Sequence, residues 1–61
     1  MSEYKKKIIE LIESNLKGYE ISKKTGVSQY VLSQLRQGKR EVDNLTLNTT
    51  EKLYEYANKV L

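Results

Sequence analysis

Three observations predict an all-α domain of four helices. Apolar residues recur at the three- and four-residue spacing of a helix stripe, and β-branched residues nowhere alternate with the period of two that a half-buried strand requires. Ser2, Ser28 and Thr46 stand as N-caps ahead of three such stripes. No proline and no linker-like or low-complexity stretch interrupts the 61 residues, which are therefore read as one domain.

The elements follow in order. After Ser2, the residues Tyr4, Ile8, Ile9, Leu11, Ile12 and Leu16 fall on one broad side of a first helix when each residue advances by about 100°. Asn15, Lys17 and Gly18 break it, and Tyr19 to Thr25 form a short second helix with Ile21 and Ser22 inward. Gly26 tolerates the positive φ of a sharp turn between helices, and Ser28 caps a third helix over Gln29 to Gln37. Val27 and Leu32 hold the positions of a hydrophobic staple across that cap. Gly38 stops the helix as a C′ residue, with Lys39 and Arg40 suited to the negative end of its dipole. Thr46 then caps a last helix over about 47–59, in which Leu47, Thr50, Leu53, Tyr54, Ala57, Val60 and Leu61 share one side.

That last stripe is longer than three short helices can obviously cover. Tyr54, Val60 and Leu61 are accordingly expected to pair two subunits. Closing the monomer core is the alternative, since a domain of this size buries only about 60% of the surface its unfolded chain exposes.

Net charge is +3 and unevenly spread. Residues 17–40 hold Lys17, Lys23, Lys24, Arg36, Lys39 and Arg40 against Glu20 alone, a balance of +5, whereas residues 1–16 are neutral and residues 41–61 carry −2. A one-sided basic block of this kind attracts polyanions, nucleic acid first among them. The chain has no cysteine or histidine, which removes disulfides and thiolate or imidazole metal sites. Its eight carboxylates are scattered among lysines, so no nucleophile, general acid or metal set can be assembled, and Gly26 and Gly38 are too isolated to cradle a phosphate. An enzyme is not expected, nor a cofactor or small-molecule ligand. No apolar run approaches the ~18 residues of a membrane span and no signal-peptide core follows Lys5-Lys6-Lys7, so the expected location is the cytoplasm.

The third helix carries the functional signal. With Gln29 at zero, Val31, Leu32 and Leu35 lie at about 200°, 300° and 240°, while Gln29, Ser33, Gln37, Tyr30 and Gln34 lie between about 0° and 140° on the other side. A helix clamped by the first set presents amide, hydroxyl and phenol groups outward, beside Arg36, Lys39 and Arg40. Glutamine can bond bidentately to adenine N6 and N7 in a major groove, and basic residues bind phosphate. Taken singly these are ordinary surface residues, and Tyr30 could instead fold onto a neighbour. Turn, cap, staple, polar face and local charge nevertheless coincide in one stretch.

The segment "GYEISKKTGVSQYVLSQLRQ", residues 18–37, resembles the helix-turn-helix of the lambda-repressor and Cro-like (XRE) family. The similarity rests on Ile21, the small Ser22, Gly26 followed by Val27, and Leu32 with Leu35, and it extends to the basic Gly38-Lys39-Arg40. The resemblance implies a small lambda-repressor-like DNA-binding domain, here four-helix where relatives commonly have five helices, whose Gln29, Tyr30, Ser33 and Gln34 meet base edges of double-stranded DNA. It places backbone contacts at Lys17, Gly18, Tyr19, Gln37, Lys39 and Arg40; apart from the resemblance, Arg36 is expected to add to them, and Asn44 and Thr46, next to the basic loop, to make weaker phosphate contacts. Gly18 stands where relatives often carry glutamine, and Arg36 where they often carry an acid, which should strengthen nonspecific attraction to phosphate. The implied activity is that of a Cro-like repressor, a homodimer on a palindromic operator, of the phage or mobile-element kind. A protein-binding helix-turn-helix module, such as an antitoxin or recruitment adaptor, is the alternative.

Overall fold

The computed structural model describes residues 2–61. Four α-helices, α1 (Glu3–Glu13), α2 (Gly18–Thr25), α3 (Gln29–Arg36) and α4 (Leu47–Val60), enclose the core, and a single 3-10 turn, Val42–Asn44, links α3 to α4. No strand occurs among the described residues.

Each expected cap forms. The hydroxyl of Ser2 accepts from the Lys5 N–H, that of Ser28 from Val31, and that of Thr46 from Thr49, each satisfying a donor that the first helical turn leaves unpaired. Gly26 closes α2 with φ 81°, and its N–H donates to the Ser22 carbonyl. After α3, Gly38 adopts φ 76°. Its N–H donates to Leu35 O and the Lys39 N–H to Gln34 O, the paired bonds of a Schellman motif. The helix therefore ends at Arg36 with Gln37 as its C-cap, one residue earlier than the apolar spacing predicts.

The core consists of Ile8, Leu11 and Ile12 from α1, Ile21 from α2, Val27 from the turn, Leu32 and Leu35 from α3, and Leu53 and Ala57 from α4. Val27 and Leu32 are 6% and 1% exposed, as a staple requires. α4 packs chiefly against α1 and also touches α2, while α2 packs on α3. The radius of gyration, 10.1 Å, matches the roughly 10.5 Å expected of a close-packed chain this long.

Several inward positions differ from expectation. In α2 the second buried residue is Thr25, and Ser22 is only half-buried. The Thr25 hydroxyl tolerates burial because it donates to Ile21 O at 2.6 Å and accepts from the Val27 N–H at 3.1 Å, so it also braces the turn. On α1, Ile9 is half-buried and does not join the core cluster. Leu47, expected on the apolar side of α4, is 70% exposed. Tyr4 covers α4 at Thr50, through a 3.1 Å hydroxyl bond, and at Tyr54, by ring stacking at 4.6 Å; Leu47 lies a turn before Thr50, past that cover. Tyr54 thus belongs to the monomer's packing, whereas Val60 and Leu61 remain 41% and 49% exposed. Of the three residues expected to pair subunits, Tyr54 is half-buried within its own subunit.

Candidate nucleic-acid interface

α3 divides into two faces because its apolar residues are spaced three and four apart. Leu32 and Leu35 are buried and Val31 packs beside them, which turns Gln29, Tyr30, Ser33 and Gln37 outward, all exposed, with Gln34 half-buried at their edge. Tyr30 is 67% exposed and so does not fold down onto the body of the domain.

These outward groups are ordered in pairs one turn apart. Gln34 Nε2 donates to the Tyr30 hydroxyl at 3.0 Å, and Gln37 Nε2 donates to Ser33 Oγ at 2.9 Å. Arg40, which lies beyond the Gly38 stop, turns back and donates from Nε and Nη2 to Gln34 Oε1 at 2.9 and 2.7 Å. The Gln29 side chain is exposed and makes no hydrogen bond among the described residues. One end of the polar row is thereby pre-set, and the other is open.

Two recesses flank the row. Gly18 and Tyr19, at the start of α2, line a shallow cleft with Gln29, Ser33, Arg36 and Gln37. The α2 N-terminus has Lys17 at its cap position and no side-chain acceptor, so its first amide donors remain available to an anion on the rim of this cleft. On the other flank Ser28, Arg40, Asn44, Thr46, Thr49 and Lys52 line a second recess. The Thr46 hydroxyl there is already engaged: it accepts from the Thr49 N–H and donates to Thr49 Oγ1 at 2.9 Å. Asn44, Lys17 and Lys39 are exposed.

No family model matches this chain, and no curated protein shows significant similarity to it.

Arg36 is exposed, as expected, but its guanidinium is engaged within the domain: Nε donates to Ile12 O at 2.8 Å and Nη2 reaches the carbonyls of Ser14 and Leu16. α1 has no basic residue in its last turn, and its final carbonyls need donors; the guanidinium's fan of N–H groups supplies them from α3. Arg36 is a strap between the two helices. The helical wheel held no signal of this, because Arg36 at about 340° falls between buried Leu32 at about 300° and outward Gln29 at zero. The pairing of Arg40 with Gln34 had no signal either. It depends on the backbone reversal at Gly38, which a wheel does not describe.

Proposed function

We propose that this protein is a sequence-specific double-stranded DNA-binding regulator of Cro-like type, in which α2, the Gly26 turn and α3 act as a helix-turn-helix and α3 enters the major groove. It would work as a dimeric repressor on a roughly palindromic operator in a bacterial or phage-infected cytoplasm. The observation that carries this reading is the exposed row Gln29, Tyr30, Ser33 and Gln37, edged by half-buried Gln34, on one side of a core-clamped helix, with Lys39 and Arg40 at its end. Supporting it, the amide donors of Gly18 and Tyr19 share a cleft with Gln29 and Ser33, so backbone and base contacts would be made by adjoining surfaces.

Exposed aromatic residues, Tyr19 at 58% and Tyr30 at 67%, favour a second reading, a module whose α3 face docks on a partner protein. Titration of labelled duplex DNA over a salt series separates the two. A DNA regulator loses affinity steeply as salt rises and keeps its operator in the presence of competitor duplex. A chain that ignores all duplexes at low ionic strength is not a DNA-binding protein, and the docking reading would stand in its place.

A further inference from the structure

We infer that Arg40 sets which base Gln34 can read, converting that amide from an adenine reader into part of a guanine-reading unit. The inference rests on the DNA-binding reading above and deepens it.

The argument begins with the hydrogen-bond inventory. A free glutamine offers one acceptor oxygen and one donor nitrogen side by side, the combination that matches adenine N6–H and N7. Gln34 is not free. Arg40 Nε and Nη2, at 2.9 and 2.7 Å, occupy both lone pairs of Oε1. The orientation of the amide is dictated by chemistry, because a guanidinium has donors only and must face the oxygen. Gln34 Nε2 then spends one hydrogen on the Tyr30 hydroxyl at 3.0 Å, and since that hydroxyl is the acceptor, its own proton is left to point elsewhere.

What remains unspent on Tyr30, Gln34 and Arg40 is almost wholly donor: the phenolic O–H, the second Nε2–H and the outer guanidinium N–H groups. Among base edges in the major groove, guanine alone offers two neighbouring acceptors, N7 and O6. Adenine N6 and cytosine N4 present donors, which would face donors and lose their water without gaining a partner. The cluster is therefore complementary to guanine and discriminates against adenine at the position under Gln34. Gln29, with both amide functions unengaged, keeps the ordinary adenine preference of glutamine. Arg40 acts here through another side chain, as a specificity-setting residue, beyond whatever charge it lends to the backbone.

Binding-site selection from randomised duplexes tests this, with far-UV circular dichroism on every variant to confirm the helical fold. The position under Gln34 is the one whose preference disappears in Gln34→Ala. Wild type is expected to prefer guanine there by roughly tenfold. Arg40→Ala frees Oε1 and should move that preference to adenine. Arg40→Lys keeps the positive charge but has no two-pronged planar donor, so it should lose the guanine preference while still binding DNA. In the free protein, the side-chain amide NMR signals of Gln34 should shift in Arg40→Lys and in Tyr30→Phe. Adenine at that position in wild type, an unchanged guanine preference in both Arg40 variants, or Gln34→Ala without effect would overturn the inference and leave DNA binding intact. Failure of the wild type to bind any duplex at low salt would overturn both.

Discussion

If α3 enters DNA as proposed, Gln29, Arg36 and Lys39 have separable tasks. Gln29 is exposed with its amide unengaged, so it is suited to direct base reading, whereas Lys39 beyond the Gly38 stop is exposed charge. Gln29→Ala should cost about 1–3 kcal/mol at one defined base pair and relax specificity there; Lys39→Ala should weaken all sequences alike and flatten the salt dependence. Competition binding with single-base operator variants distinguishes these effects, and identical profiles for the two variants would refute the assignment. Arg36 predicts the opposite pattern. Its donors are committed to the carbonyls of Ile12, Ser14 and Leu16, so Arg36→Ala should lower stability by about 1–3 kcal/mol in urea denaturation and leave the salt slope of DNA binding unchanged. A reduced slope at unchanged stability would return Arg36 to the phosphate contacts.

Among the elements, the connection between α2 and α3 has the least freedom. Gly26 sits at φ 81°, and a methyl group added there would meet nothing within 4 Å, so the cost of Gly26→Ala would be purely one of backbone conformation, about 1–2 kcal/mol. The prediction is a lower urea midpoint with an unaltered denaturant slope; a variant as stable as wild type would show that the turn can relax out of the left-handed region. Helix existence, caps, the staple and both glycine stops were legible in the sequence because each depends on residues within a few positions of one another. The burial of Thr25 was not, since it depends on hydrogen bonds its hydroxyl makes to Ile21 and Val27 once the turn exists. Leu47 departs from the expected apolar side of α4 for a related reason. A wheel shows which residues share a side of α4 but not how far the neighbouring helix extends, and Tyr4 covers Tyr54 while stopping short of Leu47. Likewise the outward row of α3 could be read from periodicity, whereas the Arg36 strap and the Arg40–Gln34 pair required the three-dimensional return of the chain.

At the scale of the whole molecule, the core is small and the apolar surface left over is concentrated. Among the described residues nine make up the buried apolar cluster, and a domain of this size has a thin margin of stability. Val60 and Leu61 on the last turn of α4 and just past it stay 41% and 49% exposed and are adjacent in sequence. Burying such side chains fully is worth about 1.5–3 kcal/mol each, and association that buries them would add stability by mass action. Two further consequences follow for a protein that binds as a dimer. Its melting temperature should climb with protein concentration, and with Lys17, Lys39 and Arg40 from each subunit on phosphate, the slope of log affinity against log salt should approach about −5. The double variant Val60→Asp, Leu61→Asp places like charges where the two chains would meet. It should abolish the concentration dependence, leave monomer helicity intact and roughly halve the salt slope, because one subunit then holds one half-site. A melting temperature independent of concentration in the wild type, together with an unchanged slope in the double variant, would show that these two residues are ordinary exposed surface and that any pairing of subunits uses another face.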